Sequence, residues 1–130
     1  MKFDIILTEL EDKDLKTVER TGVLTIPKGV TKIGKDACWG LQYLSELTIP
    51  EGVKFIDENA FGDCTYLSKV TLPKGLTSIY HNAFRGCTSL KEVYVHNTNE
   101  ENLRGLKGLF NADTKIILVK ENKNPKDKTK

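Results

Sequence analysis

Leu24-Thr25-Ile26-Pro27-Lys28-Gly29-Val30 recurs as Leu47-Thr48-Ile49-Pro50-Glu51-Gly52-Val53 and again as Val70-Thr71-Leu72-Pro73-Lys74-Gly75-Leu76. Successive copies are displaced by 23 residues. A fixed period in the twenties predicts a solenoid, in which no unit buries its apolar side alone and stacking builds one continuous core. Apart from Thr25, Thr48 and Thr71, the shared columns are apolar residues, Pro and Gly, which serve backbone shape or packing. The pattern therefore speaks to architecture and describes a recognition scaffold without naming what it recognises.

Each unit opens on a short strand, since the apolar residues of Leu47-Thr48-Ile49 alternate with Thr at the period of a strand with one buried face. The Pro that follows has no N–H to donate and ends the ladder. Pro27-Lys-Gly29, Pro50-Glu-Gly52 and Pro73-Lys-Gly75 fit turns with Pro at the second position and Gly at the fourth. Val30 and Ile33, Val53 and Ile56, and Leu76 and Ile79 come next, spaced by three as on a tight helical turn or a short curved strand. Ala37-Cys38, Ala60-Phe61 and Ala83-Phe84 supply a small residue and a large one; Leu41, Cys64 and Cys87 share the following column, and Leu44, Leu67 and Leu90 close the unit.

The spacing persists weakly at both ends. Counting back by one period places Met1, Phe3, Leu7, Leu10, Leu15 and Val18 in core columns, and counting forward gives strands at Val93-Tyr94-Val95 and Ile116-Ile117-Leu118, about six strand positions in all. The end units have the character of caps, because a terminal repeat presents a polar outer face. Residues 99–110 read as a capping helix weakened by Gly105 and Gly108. The expected organisation is a solenoid over residues 1–119, with an N-terminal capping unit (1–23), three full repeats (24–92) and a C-terminal capping unit (93–119), followed by a Lys-rich tail (120–130).

Asn59-Ala60-Phe61-x-x-Cys64-x-x-Leu67 and Asn82-Ala83-Phe84-x-x-Cys87-x-x-Leu90, each behind a strand, a Pro-x-Gly turn and a Val/Leu-x-x-Ile step, resemble the BspA-like leucine-rich repeat family across residues 24–95. The first unit departs from the pattern at Cys38, Trp39 and Leu41. The resemblance implies an α/β-type repeat solenoid, curved and right-handed, with short parallel strands on one face and a role in binding protein. It also implies kinship with bacterial or protist surface proteins implicated in adhesion.

Composition sets limits. With 130 residues, 38% hydrophobic and 29% charged, the chain suits one folded domain. Its net charge of +2 is local, since the tail carries five Lys against Glu121 and Asp127; nucleic acid is not an expected partner. No run approaches the roughly 18 apolar residues of a membrane span. Asp4 and Glu9 interrupt what an export signal would keep apolar. A cytoplasmic protein is the expectation from that start, and a cell-surface or secreted protein is the alternative if a leader has been trimmed.

The three cysteines read as reduced, buried hydrophobes, Cys64 and Cys87 sharing the column that Leu41 fills. Neither a metal site nor a cofactor is expected, as no Cys-x-x-Cys or His-x-x-His spacing occurs. Catalysis has one candidate pair, Cys87 with His81, and the expectation is that the protein is not an enzyme. The sharper expectation concerns a surface that meets another protein. Glu46, Lys69 and Glu92 form one outward row of the strand face and Thr48, Thr71 and Tyr94 another, with Tyr94 as its aromatic anchor. The alternative is an aromatic set that interrupts polar columns, Phe55, Tyr80 and Trp39. The function read from these residues is an intracellular adaptor or inhibitor, in one version borne by a phage or mobile element, with a fragment of a bacterial cell-surface adhesin as the alternative.

Overall fold

The computed structural model describes residues 4–96 and 105–119. Expectations placed on Met1, Phe3, residues 99–104 of the expected capping helix and the Lys-rich tail fall outside those residues. The repeats stack as predicted, with every strand parallel to its neighbours. One ladder holds β2 (Val23–Leu24), β4 (Glu46–Thr48), β6 (Lys69–Leu72), β8 (Glu92–His96) and β9 (Lys115–Val119) in chain order. Its register follows the 23-residue period: Leu24, Leu47, Val70, Val93 and Ile116 lie side by side. Alternation within β4 and β6 sends Leu47, Val70 and Leu72 into the core and Glu46 and Thr48 to solvent.

A second ladder runs along another side of the coil. It joins β1 (Ile6–Leu7), β3 (Lys32–Ile33), β5 (Phe55–Ile56) and β7 (Ser78–Ile79). The spacing of three between Val30 and Ile33 suits either a helical turn or a short strand. The chain takes the strand, because extended backbone lets Lys54 N–H donate to the Thr31 carbonyl at 2.8 Å and Thr77 N–H to the Lys54 carbonyl at 2.9 Å. Ile33 and Ile56 then point inward, fully buried.

The corners after β2, β4 and β6 depart from the expected turn. Val30, Val53 and Leu76 donate to the carbonyls of Pro27, Pro50 and Pro73, so Pro occupies the first turn position and Gly the third. Gly29 and Gly52 sit at φ 94° and 102° there, the left-handed geometry that the third position of a type II turn demands.

The N-terminal unit holds helix α1 (Asp12–Thr21), which the repeat pattern does not forecast. Glu11 N–H donates to the Asp14 carboxylate at 3.2 Å at its start, and Gly22, at φ 76°, closes its end with an N–H to the Val18 carbonyl at 2.7 Å. Helix rises about 1.5 Å per residue against about 3.3 Å for strand, so a helical side of the coil consumes more residues. Accordingly Leu7 pairs with Ile33, 26 positions on. Counting back by 23 thus misplaces the Ile33 column on Leu10, while Leu15, read as core, is 40% exposed.

The interior is a set of stacked columns with no buried polar or charged residue among the described ones. Phe61 stacks on Phe84 at 5.3 Å and Phe84 tilts against Phe110 at 5.4 Å, carrying an aromatic spine into the last unit. Small polar side chains of one repeat cap carbonyls of the repeat before: Ser45 on Gly22, Ser68 on Ser45 and the Cys64 thiol on Cys38. Each repeat thus completes its predecessor in both apolar contact and hydrogen bonding. Truncating Phe61, fully buried in that spine, is expected to cost about 3–5 kcal/mol. Trp39→Ala, at a side chain 56% exposed, should change stability by about 0.5 kcal/mol or less, both measured by urea unfolding.

Candidate protein-binding face

The outward side of the long ladder is built by the strand register. Glu46 lies beside Lys69, Lys69 beside Glu92 and Glu92 beside Lys115. Thr48, Thr71, Tyr94 and Ile117 make the next row. Neighbouring strands are about 4.8 Å apart, so the six residues expected on this face form one continuous patch. Glu46 and Thr48 are exposed, and Lys69, Thr71, Glu92 and Tyr94 are half-buried.

Adjacent opposite charges on a sheet could close into cross-strand ion pairs. They do not do so here: among the described residues the ion pairs are Glu11–Lys13, Lys32–Asp57, Lys35–Glu58 and Lys91–Asp113, none within this row. Lys69 instead holds its ammonium 5.0 Å from the centre of the Tyr94 ring, within range of a cation–π attraction. The Tyr94 hydroxyl donates to Glu92 Oε1 at 3.1 Å, and this hydrogen bond holds the phenol proton on and raises its pKa. Tyr94 is therefore oriented at both ends, its ring by Lys69 and its hydroxyl by Glu92. An aromatic held in one pose loses less freedom on meeting a partner than a mobile one.

The alternative set does not assemble. Phe55 lies on the outer side of β5, 47% exposed; Tyr80 follows β7 with its ring 4.6 Å from His81; Trp39 leans over Gly62 of the next repeat from the turn behind β3. Among the described residues no ring pairing joins the three. Phe55 has other company that the sequence does not announce. With Ile5, Ile6 and the floor at Gly29, Thr31 and Gly52 it lines a groove of about 800 Å³, created by the second ladder and by the three-residue offset of the N-terminal unit. Tyr43 and Tyr66 stand 58% and 66% exposed, one repeat apart.

The thiols of Cys87 and Cys38 lack the character of a nucleophile. Cys87 is buried and its thiol donates to the Phe61 carbonyl at 3.1 Å, whereas His81 is exposed and rests against Tyr80. The contact with Cys64, reinforced by burial, pushes the Cys87 thiol far above the ordinary thiol range, and burial does the same at Cys38. A thiol held protonated is neither nucleophile nor metal ligand. Among the described residues no cluster of His, Cys, Asp and Glu suits a metal ion. Iodoacetamide at neutral pH is expected to leave all three cysteines unmodified in the native protein and to alkylate all three after denaturation, read by intact mass.

No helix among the described residues is long and apolar enough to cross a membrane. Among curated proteins none matches this sequence. A solved leucine-rich cell surface protein from Faecalibacterium prausnitzii is similar at 18% identity and a TM-score of 0.46, over 93% of this chain and 35% of that one. The BspA type leucine-rich repeat region matches residues 9–112 in six copies, which takes in α1 and β2 through β8 and leaves β1 and β9 outside. The chain belongs to the BspA-type leucine-rich repeat family.

Proposed function

We propose that this chain is a protein-binding segment of an adhesive surface protein and that it engages its partner through the outward face of the long ladder. Family membership supports the general role, a repeat scaffold that binds protein rather than transforming a substrate. The observation that supports the choice of face is the Lys69–Tyr94–Glu92 cluster, an aromatic fixed by two charged neighbours at the end of a run of small Thr side chains. Thr48 and Thr71 give a partner close access to the sheet. Glu46, Lys69 and Glu92, free of ion pairs among themselves, offer alternating charge that selects a register. The intracellular adaptor or inhibitor reading draws on absences alone, and no feature of the fold favours it over adhesion.

The test is a binding screen of the purified chain against host extracellular proteins, followed by variants on the partner it selects. Tyr94→Ala is expected to weaken binding by about 2 kcal/mol or more, and Lys69→Glu to weaken it as well, both with melting temperatures close to the parent. Thr71→Ala, Phe55→Ala and Tyr80→Ala should leave affinity nearly unchanged. Full affinity in Tyr94→Ala and Lys69→Glu, with loss in Phe55→Ala, would move the interface to the groove beside β5.

A further inference from the structure

The long ladder ends on β9, which pairs with β8 on one side and with no strand on the other among the described residues. Lys115 N–H donates to the Lys91 carbonyl at 2.8 Å, so residues 115, 117 and 119 turn their backbone groups toward β8. Those groups alternate in direction along a strand, which sends the N–H and C=O of Ile116 and Leu118 to the open edge. A row of this kind is a template for another strand.

Two further properties make this edge selective. The interior rows do not finish in polar residues. Leu47, Val70 and Val93 continue to Ile116, and Leu72 and Val95 continue to Leu118. Val93 and Val95 are 0% and 4% exposed, whereas Ile116 and Leu118 are only half-buried, so among the described residues the apolar rows end on side chains that are partly open on one flank. The outward row, meanwhile, alternates in sign through Glu46, Lys69, Glu92 and Lys115. Lys115 has an acidic neighbour on its β8 side and an open position on the other.

We propose that β9 is a docking edge for an extended segment of another polypeptide, which adds as a parallel sixth strand with an acidic residue beside Lys115 and aliphatic residues beside Ile116 and Leu118. Strand addition draws affinity from main-chain hydrogen bonds and selectivity from alternate side chains. Here the selectivity lies in the charge beside Lys115 and in a β-branched or aromatic residue beside Ile117. The strand β8 carries this pattern itself, as Glu92-Val93-Tyr94-Val95. A second copy of the chain fits less well. Two β9 strands paired antiparallel about Ile117 would set Lys115 against Val119, and β2 would bring Val23 to Lys115, with no acid in either case. This edge is separate from the face assigned above to the surface partner, since it uses backbone at the end of the sheet and leaves Tyr94 untouched.

The experiment titrates the full isotope-labelled chain with a capped peptide Lys-Glu-Val-Tyr-Val-His, the sequence of residues 91–96, and with its counterpart carrying Lys in place of Glu. The amides of Ile116 and Leu118 are expected to shift and to exchange more slowly, with little change along β4 and β6. The charge-reversed peptide should bind about two- to fivefold more weakly, the range of a cross-strand charge pair, and K115E should invert that preference with its circular dichroism unchanged. Equal binding of the two peptides, no inversion in K115E, or shifts confined to the strand face would overturn the proposal. Protection of the β9 amides that rises with protein concentration in the absence of peptide would also overturn it and assign the edge to a second copy.

Discussion

The fold hangs on register between repeats. No unit of this chain closes on itself: Leu47 needs Val70 beside it, Phe61 needs Phe84, and the carbonyl of Cys38 needs the thiol of Cys64. Every one of these contacts joins residues 23 or 26 positions apart. A slip of one residue would reverse the facing of each strand side chain and break the apolar columns together with the ladder. Stability in such an array is a sum of interfaces between neighbours, so the constraint acts locally and yet runs the length of the molecule.

The surfaces follow from the same constraint. Because inward positions are committed to the stack, variation is confined to outward ones, and the register lines those up whether or not they interact. That is how Lys69 comes to lie beside both Thr71's row and Glu92, and how Tyr94 finds one partner for its ring and another for its hydroxyl. The aromatic set of Phe55, Tyr80 and Trp39 is spread over separate elements: Phe55 lies on β5, Tyr80 follows β7 and Trp39 sits in the turn behind β3. The ends are a separate matter. Among the described residues the ladder, the apolar rows and the alternating charges all run as far as β9, whose outer edge has the chemistry of an interior strand.

Much of this was legible in the sequence, and the limits have physical causes. The Leu-Thr-Ile-Pro run specifies strand and corner because alternation and a missing N–H act locally, so the long ladder and its outward rows could be placed by counting. The second ladder is harder to read. Its strands are two residues long, too short for alternation to separate them from a helical turn, and only the hydrogen bonds from Lys54 and Thr77 decide the matter. Helix α1 breaks the count by three residues. Its signals, Glu11 with Asp14 at one end and Gly22 at the other, are present but lie outside the repeated columns. The Ile5, Ile6 and Phe55 groove depends on both of these features. The Lys69 contact with Tyr94 is a choice among several partners that register alone leaves open.

The most direct test of the account deletes one whole period. Removal of residues 47–69 joins Glu46 to Val70 with each column still in phase, whereas removal of residues 47–68 puts everything downstream one position out. The first variant is expected to unfold cooperatively at a lower temperature than the parent and to keep its circular dichroism and its protected strand amides. The second should lose cooperative unfolding. Equal folding of the two deletions would contradict the claim that inter-repeat register holds this protein together.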